Sequence, residues 1–224
     1  MVKQNSMPSK KFLAICIISI FLFSGCSWFQ TVDEKSAREL AIEGMDDYQS
    51  GNYNRAIESF EKLRDWYPFS KFAILAELKI ADAHYRLSHY DEAIFAYEEF
   101  ESLHPRNESI PYVIYQIGRC NYDRIDSVDR DQSTAKKALD TFNRLQRQFP
   151  GHPYSKRANE HIYNCLKSLA GHEFYVGLYY YKTKHYKAAL NRFKKVLYGY
   201  PDIGIHRQAM EYMVRCEKKL NSTG

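Results

Sequence analysis

A pattern of small and aromatic residues recurs along the chain and limits the folds it can adopt. Residues 44–60, 81–97 and 177–193 align without gaps. Each segment has Gly or Ala first, Tyr at the fifth and tenth positions, Ala at the thirteenth and Phe or Tyr at the seventeenth. A proline follows eight residues later, and a fourth segment shares this second half. The second halves contain Ala56, Phe60 and Pro68; Ala93, Tyr97 and Pro105; Ala138, Phe142 and Pro150; and Ala189, Phe193 and Pro201. Such self-similarity is typical of an array of stacked units.

The pattern resembles the tetratricopeptide repeat, a helix–turn–helix unit of about 34 residues. The small residues would lie where the two helices of a unit cross, with the aromatic residues beside them. The prolines would end the second helix. Because one unit cannot bury its apolar face alone, stacking supplies the core. We therefore predict an all-α fold, a tetratricopeptide-repeat superhelix of about five helix pairs with the last one incomplete.

The predicted repeat domain covers residues 34–220. Its expected repeats are 36–69, 73–106, 110–151 and 155–202, followed by a capping helix at 204–220. An aspartate-rich insertion, residues 124–133, falls in the turn between the helices of the third repeat. The fourth repeat is expected to begin with a long helix, roughly 155–182, which Gly171 could bend.

The leader, residues 1–25, has the pattern of a secretory signal. Three lysines precede an apolar run at 12–23, which is shorter than the roughly 20 residues that a membrane-spanning helix needs. The SGC sequence that ends at Cys26 resembles the bacterial lipobox, which implies cleavage before that cysteine and its acylation. An ordinary signal peptide is the alternative. Residues 26–33 would form a lipidated tether, and Ser27 favours the outer membrane by resemblance to lipoprotein sorting rules.

Charge and residue pattern exclude several functions. Without the leader the net charge is +2, which does not indicate a nucleic-acid binder. Cys120, Cys165 and Cys216 are odd in number and too widely spaced for a zinc site, so we predict buried free thiols. The sequence contains no HExxH, GxSxG or P-loop motif, and no histidines pair at i,i+4. We expect no cofactor, no metal and no enzymatic activity.

Tyrosines at the fifth repeat position suggest a binding groove, because this position faces the concave side in the repeat family. Tyrosine offers a large surface and a hydroxyl group to an extended peptide at low entropic cost. The alternative is that these tyrosines only pack between helices. The predicted groove residues are Tyr48, Tyr85, Tyr115, Tyr122, Arg86 and Arg119, with Tyr181 at the same repeat position and Met45, Leu78 and Asp82 on the same face.

Several stretches resemble the BamD family, lipoproteins of the outer-membrane β-barrel assembly machine (BAM). They are WYPF at 66–69, IPYVIY at 110–115, DSVDRD at 126–131, EFYV at 173–176, NR at 191–192 and YPD at 200–202. The resemblance covers nearly the whole chain after the leader. The DxxDRD insertion is its most specific part, because an ordinary repeat has no such loop.

The resemblance implies a scaffold and substrate receptor on the periplasmic face of the outer membrane. The N-terminal repeats would receive nascent β-barrel precursors, and the C-terminal repeats would dock on the last POTRA domain of BamA, alongside other BAM lipoproteins. The implied contact residues are Asn191, Arg192, Asp129, Arg130 and Asp131. Alternatively, Arg192 is a solvated helix residue and the aspartate-rich loop braces neighbouring helices.

Two other functions fit parts of the sequence. A repeat lipoprotein that assists pilus or secretin assembly would share the anchor and the repeats, but it gives no reason for the insertion. A cell-wall enzyme or its regulator would need converging acid, base or nucleophile residues, and the sequence shows none.

Overall fold

The computed structural model describes residues 35–222, which form α-helices joined by turns. Over that range the helices are α1 (Ala37–Gln49), α2 (Tyr53–Trp66), α3 (Ala73–Arg86), α4 (Tyr90–Leu103), α5 (Ile110–Tyr122), α6 (Ser133–Gln148), α7 (Pro153–Lys182), α8 (Tyr186–Gly199) and α9 (His206–Asn221). Each helix packs against the next along the chain, and α5 also contacts α7. The predicted all-α repeat fold is confirmed.

Short turns with one left-handed residue connect the helices of three pairs. The middle residues of these turns are Gly51, Ser88 and Lys184, with φ values of 80°, 61° and 62°. The following backbone N–H donates to a carbonyl oxygen five residues earlier, as from His89 to His84 at 3.0 Å. This 6→1 bond is the Schellman ending of a helix, which reverses the chain and satisfies a terminal carbonyl.

The core of each pair lies where its two helices cross. Ala56, Ala93, Ala138 and Ala189, and the aromatic residues Phe60, Tyr97, Phe142 and Phe193, are all fully buried. A β-carbon on Gly44, Gly118 or Gly177 would lie 2.7, 2.5 or 2.7 Å from the ring of the facing phenylalanine. The predicted close approach at small residues is therefore present, with Ala81 in the equivalent place of the second pair.

Helix α7 is the longest in the described part of the chain. Its 30 residues span about 45 Å and run through Gly171 without interruption. The role of Gly171 is to admit the preceding loop: a β-carbon there would lie 3.0 Å from Cγ1 of Val128. Gly171 therefore provides room for a neighbouring side chain instead of a bend.

Cys120, Cys165 and Cys216 are free and buried, as predicted. Burial raises the pKa of the Cys120 and Cys165 thiols to about 12, which keeps them protonated and unreactive. Within residues 35–222, none of the helices combines the length and the apolar character needed to cross a membrane. Cys26 and the leader lie outside the described residues.

Candidate functional site

Tyr48, Tyr85 and Tyr181, at the fifth repeat position, each pack edge-on against a second tyrosine across the turn of their own helix pair. The ring centroids are 5.3 Å apart for Tyr48 and Tyr53, and 5.9 Å apart for Tyr85 and Tyr90. Tyr181 and Tyr186 repeat this arrangement at 5.6 Å. The tenth-position aromatic residue of the sequence pattern is thus explained: it supports the tyrosine at the fifth position.

These three tyrosines and Tyr122 also join successive repeats. The ammonium group of Lys79 lies 4.9 Å from the ring centre of Tyr48, and the guanidinium group of Arg119 donates to the hydroxyl of Tyr85 at 2.8 Å. Asn164 donates to the hydroxyl of Tyr122 at 3.1 Å, and further along the chain the ring of Tyr181 lies 5.2 Å from that of Tyr212. These half-buried tyrosines therefore pack between helices and still expose part of their surface.

Tyr85 lies at the centre of a charged cluster. Its hydroxyl donates to Asp123 at 2.6 Å, while Arg119 bonds both the hydroxyl and Asp123, the latter at 3.2 Å. Burial and the Asp123 hydrogen bond raise the pKa of Tyr85. At Tyr48, burial and then the charge of Asp82 raise the pKa to about 12. Both phenols stay neutral at physiological pH and offer hydrogen bonds, not charge.

Tyr115 and Asp82 correct the predicted groove. Tyr115 is only 4% exposed and its hydroxyl contacts Nε2 of His161 at 3.0 Å, so it belongs to the core. Asp82 is 3% exposed and accepts hydrogen bonds from the hydroxyls of Tyr97 and Tyr112 at 2.7 and 2.6 Å. Both residues share a helix face with groove residues, but the neighbouring helix covers them. The surface that remains consists of the exposed parts of Tyr48, Tyr85, Tyr122 and Arg119, together with the exposed Arg86.

The aspartate-rich loop between α5 and α6 is fastened to α7 by its backbone. The buried side chain of Gln132 donates to the carbonyl oxygens of Ser127 and Arg130, both at 3.1 Å. It accepts from the hydroxyl of Ser168 on α7 at 2.7 Å. His172 Nδ1 lies 2.7 Å from the carbonyl oxygen of Val128. The loop therefore braces α7, which was one of its two predicted roles.

The charged side chains of this loop point away from the contacts that fasten it. Asp129, Arg130 and Asp131 are all exposed. A hydrogen bond from the Ser127 hydroxyl lowers the pKa of Asp129, and hydrogen bonding with Ser133 lowers that of Asp131. Both carboxylates are therefore charged at neutral pH and available to a partner.

Arg192 makes an intramolecular ion pair that the sequence did not reveal. Its Nη1 lies 2.7 Å from Glu173, a carboxylate that is only 6% exposed. Lys195 binds the other oxygen of Glu173 at 2.5 Å. Arg192 keeps 37% of its side-chain surface exposed, and the neighbouring Asn191 is exposed. Arg192 is therefore half-buried and paired, not a solvated helix arginine.

Two adjacent residues of α7 hold the two segments that carry the predicted contact residues. His172 holds the loop through Val128, and the next residue, Glu173, holds Arg192. Sequence reasoning missed both Glu173 and His172 as positioning residues. The available signal was a single acidic residue within the apolar stretch 169–181, which requires a cationic partner when buried.

Comparison with known proteins gives one consistent result. The model of the family "YfiO: Outer membrane lipoprotein" matches residues 33–223. The chain is 29% identical to outer membrane protein assembly factor BamD of Neisseria gonorrhoeae, over 86% of this chain and 76% of that protein. It is 27% identical to BamD of Pasteurella multocida, over 96% and 86% of the two chains. Among solved structures, a tetratricopeptide repeat protein from Parabacteroides merdae is similar over 83% of this chain and 61% of its own, with 17% identity and a TM-score of 0.42.

Proposed function

Because the chain belongs to the YfiO/BamD family of outer membrane lipoproteins, we propose that it is the scaffold and substrate receptor of a β-barrel assembly complex. The observation that carries this proposal is the family match over residues 33–223, which includes every described helix and the aspartate-rich loop. The pilus or secretin alternative is not favoured, because the curated relatives are outer membrane protein assembly factors. The proposed activity is binding alone and needs no catalytic group.

The deciding experiment is affinity purification of the tagged protein from native membranes, with its partners identified by mass spectrometry. We expect a BamA-like barrel protein with POTRA domains and further lipoproteins in stoichiometric amounts. Recovery of pilus or secretin subunits in their place would overturn the proposal.

Attachment to the outer membrane is proposed to occur through Cys26. The lipobox-like sequence before it supports this, and two or more acyl chains would hold the protein stably at the periplasmic face. Cys26→Ala should leave the leader uncleaved and prevent acylation. Unchanged incorporation of labelled palmitate into the Cys26→Ala variant would exclude this residue as the lipid site.

The surface formed by Asn191, Arg192 and the loop residues 129–131 is proposed to bind the last POTRA domain of BamA. Its support is that the loop and α8 are held by adjacent residues of α7, His172 and Glu173, and that residues 182–222 carry a net charge of +7, which suits an acidic partner. Arg192 binds Glu173 and also interacts with Tyr180, and 37% of its side-chain surface remains accessible to a partner.

The ion pair with Glu173 supplies a matched control for this surface. Arg192→Ala removes the proposed contact and one partner of Glu173, whereas Lys195→Ala removes only the other partner of Glu173. We expect Arg192→Ala to weaken capture of a purified POTRA domain about tenfold or more, with Lys195→Ala close to wild type. Equal losses would mean that Arg192 acts through Glu173, and no loss in either variant would remove Arg192 from the interface.

The tyrosine row is proposed to receive the precursor peptide. Its support is the part-exposed line of Tyr48, Tyr85 and Tyr122, with Arg86 beside it. Because the tyrosines also hold repeats together, Arg86→Glu is a cleaner probe than tyrosine removal, and Arg55→Glu, on an exposed arginine of α2, is its control. Crosslinking to the C-terminal peptide of a barrel precursor should fall for Arg86→Glu only. Equal crosslinking by both variants would exclude this surface.

A further inference from the structure

A groove lies between α2 and α4, with α3 at its base, and at one end it reaches Asp91, which binds Arg124 of the insertion at 2.6 Å. It consists of two adjoining hollows that share Arg64, Ile80, Ala96 and Glu99 in their walls. The larger hollow has a volume of about 460 Å³. This is space for several side chains of a bound segment, and neither the tyrosine row nor the Arg192 surface uses it.

The base of this groove is apolar, and large apolar side chains stand at its ends. Ile80 is buried beneath it, Phe95 lines the larger hollow and is 69% exposed, and Leu103 lines the smaller one and is 59% exposed. An exposed phenylalanine beside an apolar floor favours a partner that brings its own apolar side chain.

The rim of the groove is acidic. Glu61, Glu92 and Glu99 line it, and within residues 35–222 none of the three forms an ion pair. Two arginines approach this rim: Arg64 hydrogen-bonds to Asp65 at 2.9 Å and also lies near Glu61 and Glu99, and Arg124 binds Asp91. The acidic side chains therefore outnumber the arginines at the rim. His84 adds no charge at neutral pH, because burial lowers its pKa.

The surrounding repeats add to the negative electrostatic potential of the groove. Residues 35–105 contain 14 acidic side chains against 8 lysines and arginines, a net charge of −6. The C-terminal end of the chain is oppositely charged, so the acidity is local to the helices that form the groove. Charge complementarity selects a cationic occupant and disfavours an anionic one.

We propose that this groove binds a lysine- or arginine-rich segment of a partner protein that carries one large apolar side chain. The apolar side chain would pack on Ile80 and Phe95. The aliphatic stems of the basic side chains would cover the floor, while their charged ends reach Glu61, Glu92 and Glu99. This interaction is separate from BamA docking and from precursor binding, and it does not depend on either.

The test uses the folded protein and a fluorescein-labelled peptide of about eight residues, rich in lysine with one central phenylalanine. Anisotropy titrations would compare Glu61→Lys/Glu99→Lys with Glu58→Lys/Glu98→Lys. Both double variants change the same helices and the same net charge, but Glu58 and Glu98 do not line the groove. We expect the groove pair to weaken binding about tenfold or more and the control pair to change it about threefold at most.

Titrations of one variant with two peptides separate the apolar and ionic contributions to binding. Phe95→Ala should weaken binding of the peptide that contains phenylalanine and leave binding of an all-lysine peptide unchanged. The variant should fold normally, because Phe95 is largely exposed and contributes little to the core. Circular dichroism would establish that each variant remains folded. Equal loss in the groove and control pairs would overturn the proposal, as would failure of the wild-type protein to bind the peptide. Preferential binding of a glutamate-rich peptide would also overturn it.

Discussion

Val128 lies directly over Gly171, so that a β-carbon on the glycine would come within 3.0 Å of Val128 Cγ1. A loop that sequence alone could only place in a turn is thus seated on a helix, at a residue 43 positions further along the chain. At Gly171 two effects therefore oppose each other: alanine is the better helix former, but its β-carbon would crowd Val128.

This competition can be measured. Alanine in place of an interior helix glycine normally stabilises a protein by about 1 kcal/mol. In Gly171→Ala the gain should be smaller than that or reversed, because Val128 must move. In a Val128→Ala background the full gain should return, giving a coupling of about 0.5–1 kcal/mol in a double-mutant cycle. Urea unfolding provides the free energies, and strictly additive effects would contradict the contact.

At Gly118 a larger penalty is expected. The added methyl group would lie 2.5 Å from the ring of Phe142, which is fully buried and cannot swing into solvent. Gly118→Ala should lower the free energy of unfolding by about 1–3 kcal/mol. Phe142→Leu in the same chain should lessen the penalty, as the smaller side chain vacates part of the space. A stabilised Gly118→Ala variant would show that the two helices can separate at little cost.

Glu173 should make stability depend on pH. Burial alone would raise its pKa, but hydrogen bonds from Lys195 and Arg192 outweigh it and lower the pKa below the ordinary 4.5. The stabilisation is therefore complete above pH 4.5 and is lost as the pH falls through the folded-state value. Glu173→Gln should cost about 1–2 kcal/mol at neutral pH, and its difference from wild type should shrink in acid.

Urea midpoints measured from neutral pH to about pH 3 would follow this difference. Glu217→Gln on the exposed surface of α9 serves as the control and should match wild type throughout. A difference between Glu173→Gln and wild type that persists unchanged in acid would exclude the ionised carboxylate as its source.

Ser88 and Lys184 hold a backbone conformation that glycine adopts more readily. Their φ values of 61° and 62° match the left-handed turn that Gly51 occupies in the first pair. Relief of this strain exceeds the entropic cost of glycine, so Ser88→Gly and Lys184→Gly should each raise the free energy of unfolding by up to about 1 kcal/mol. Gly51→Ala should lower it by a similar amount. Urea titration of the three variants provides the measurement, and a loss of stability in both glycine variants would contradict it.

The repeat core could be predicted because its pattern is local and periodic. Ala56 and Phe60 lie four residues apart on one helix, and the same spacing recurs in every pair. One sequence pattern therefore predicts the same packing in each pair. The family was likewise recognisable from short stretches, of which the DxxDRD loop was the most specific.

The site was only partly predictable, because its decisive contacts are long-range and occur once. Val128 and His172 are 44 residues apart, and Glu173 and Arg192 are 19 apart. Neither pair belongs to the repeat. Tyr115 was misplaced for a related reason: periodicity identifies a helix face but not the long-range contacts that cover it, which here come from Tyr154 and His161 in the first turns of α7.

Helix α7 has a mechanical consequence. It packs on α6 along its first half and on α8 along its second, so one uninterrupted rod belongs to two neighbouring repeats. The other helices of residues 35–222 have 13 to 16 residues, about half the length of α7. Here a displacement at the loop near Val128 must turn the same rigid body that carries Glu173 and, through it, Arg192. We therefore expect the last two repeats to move together as one rigid body.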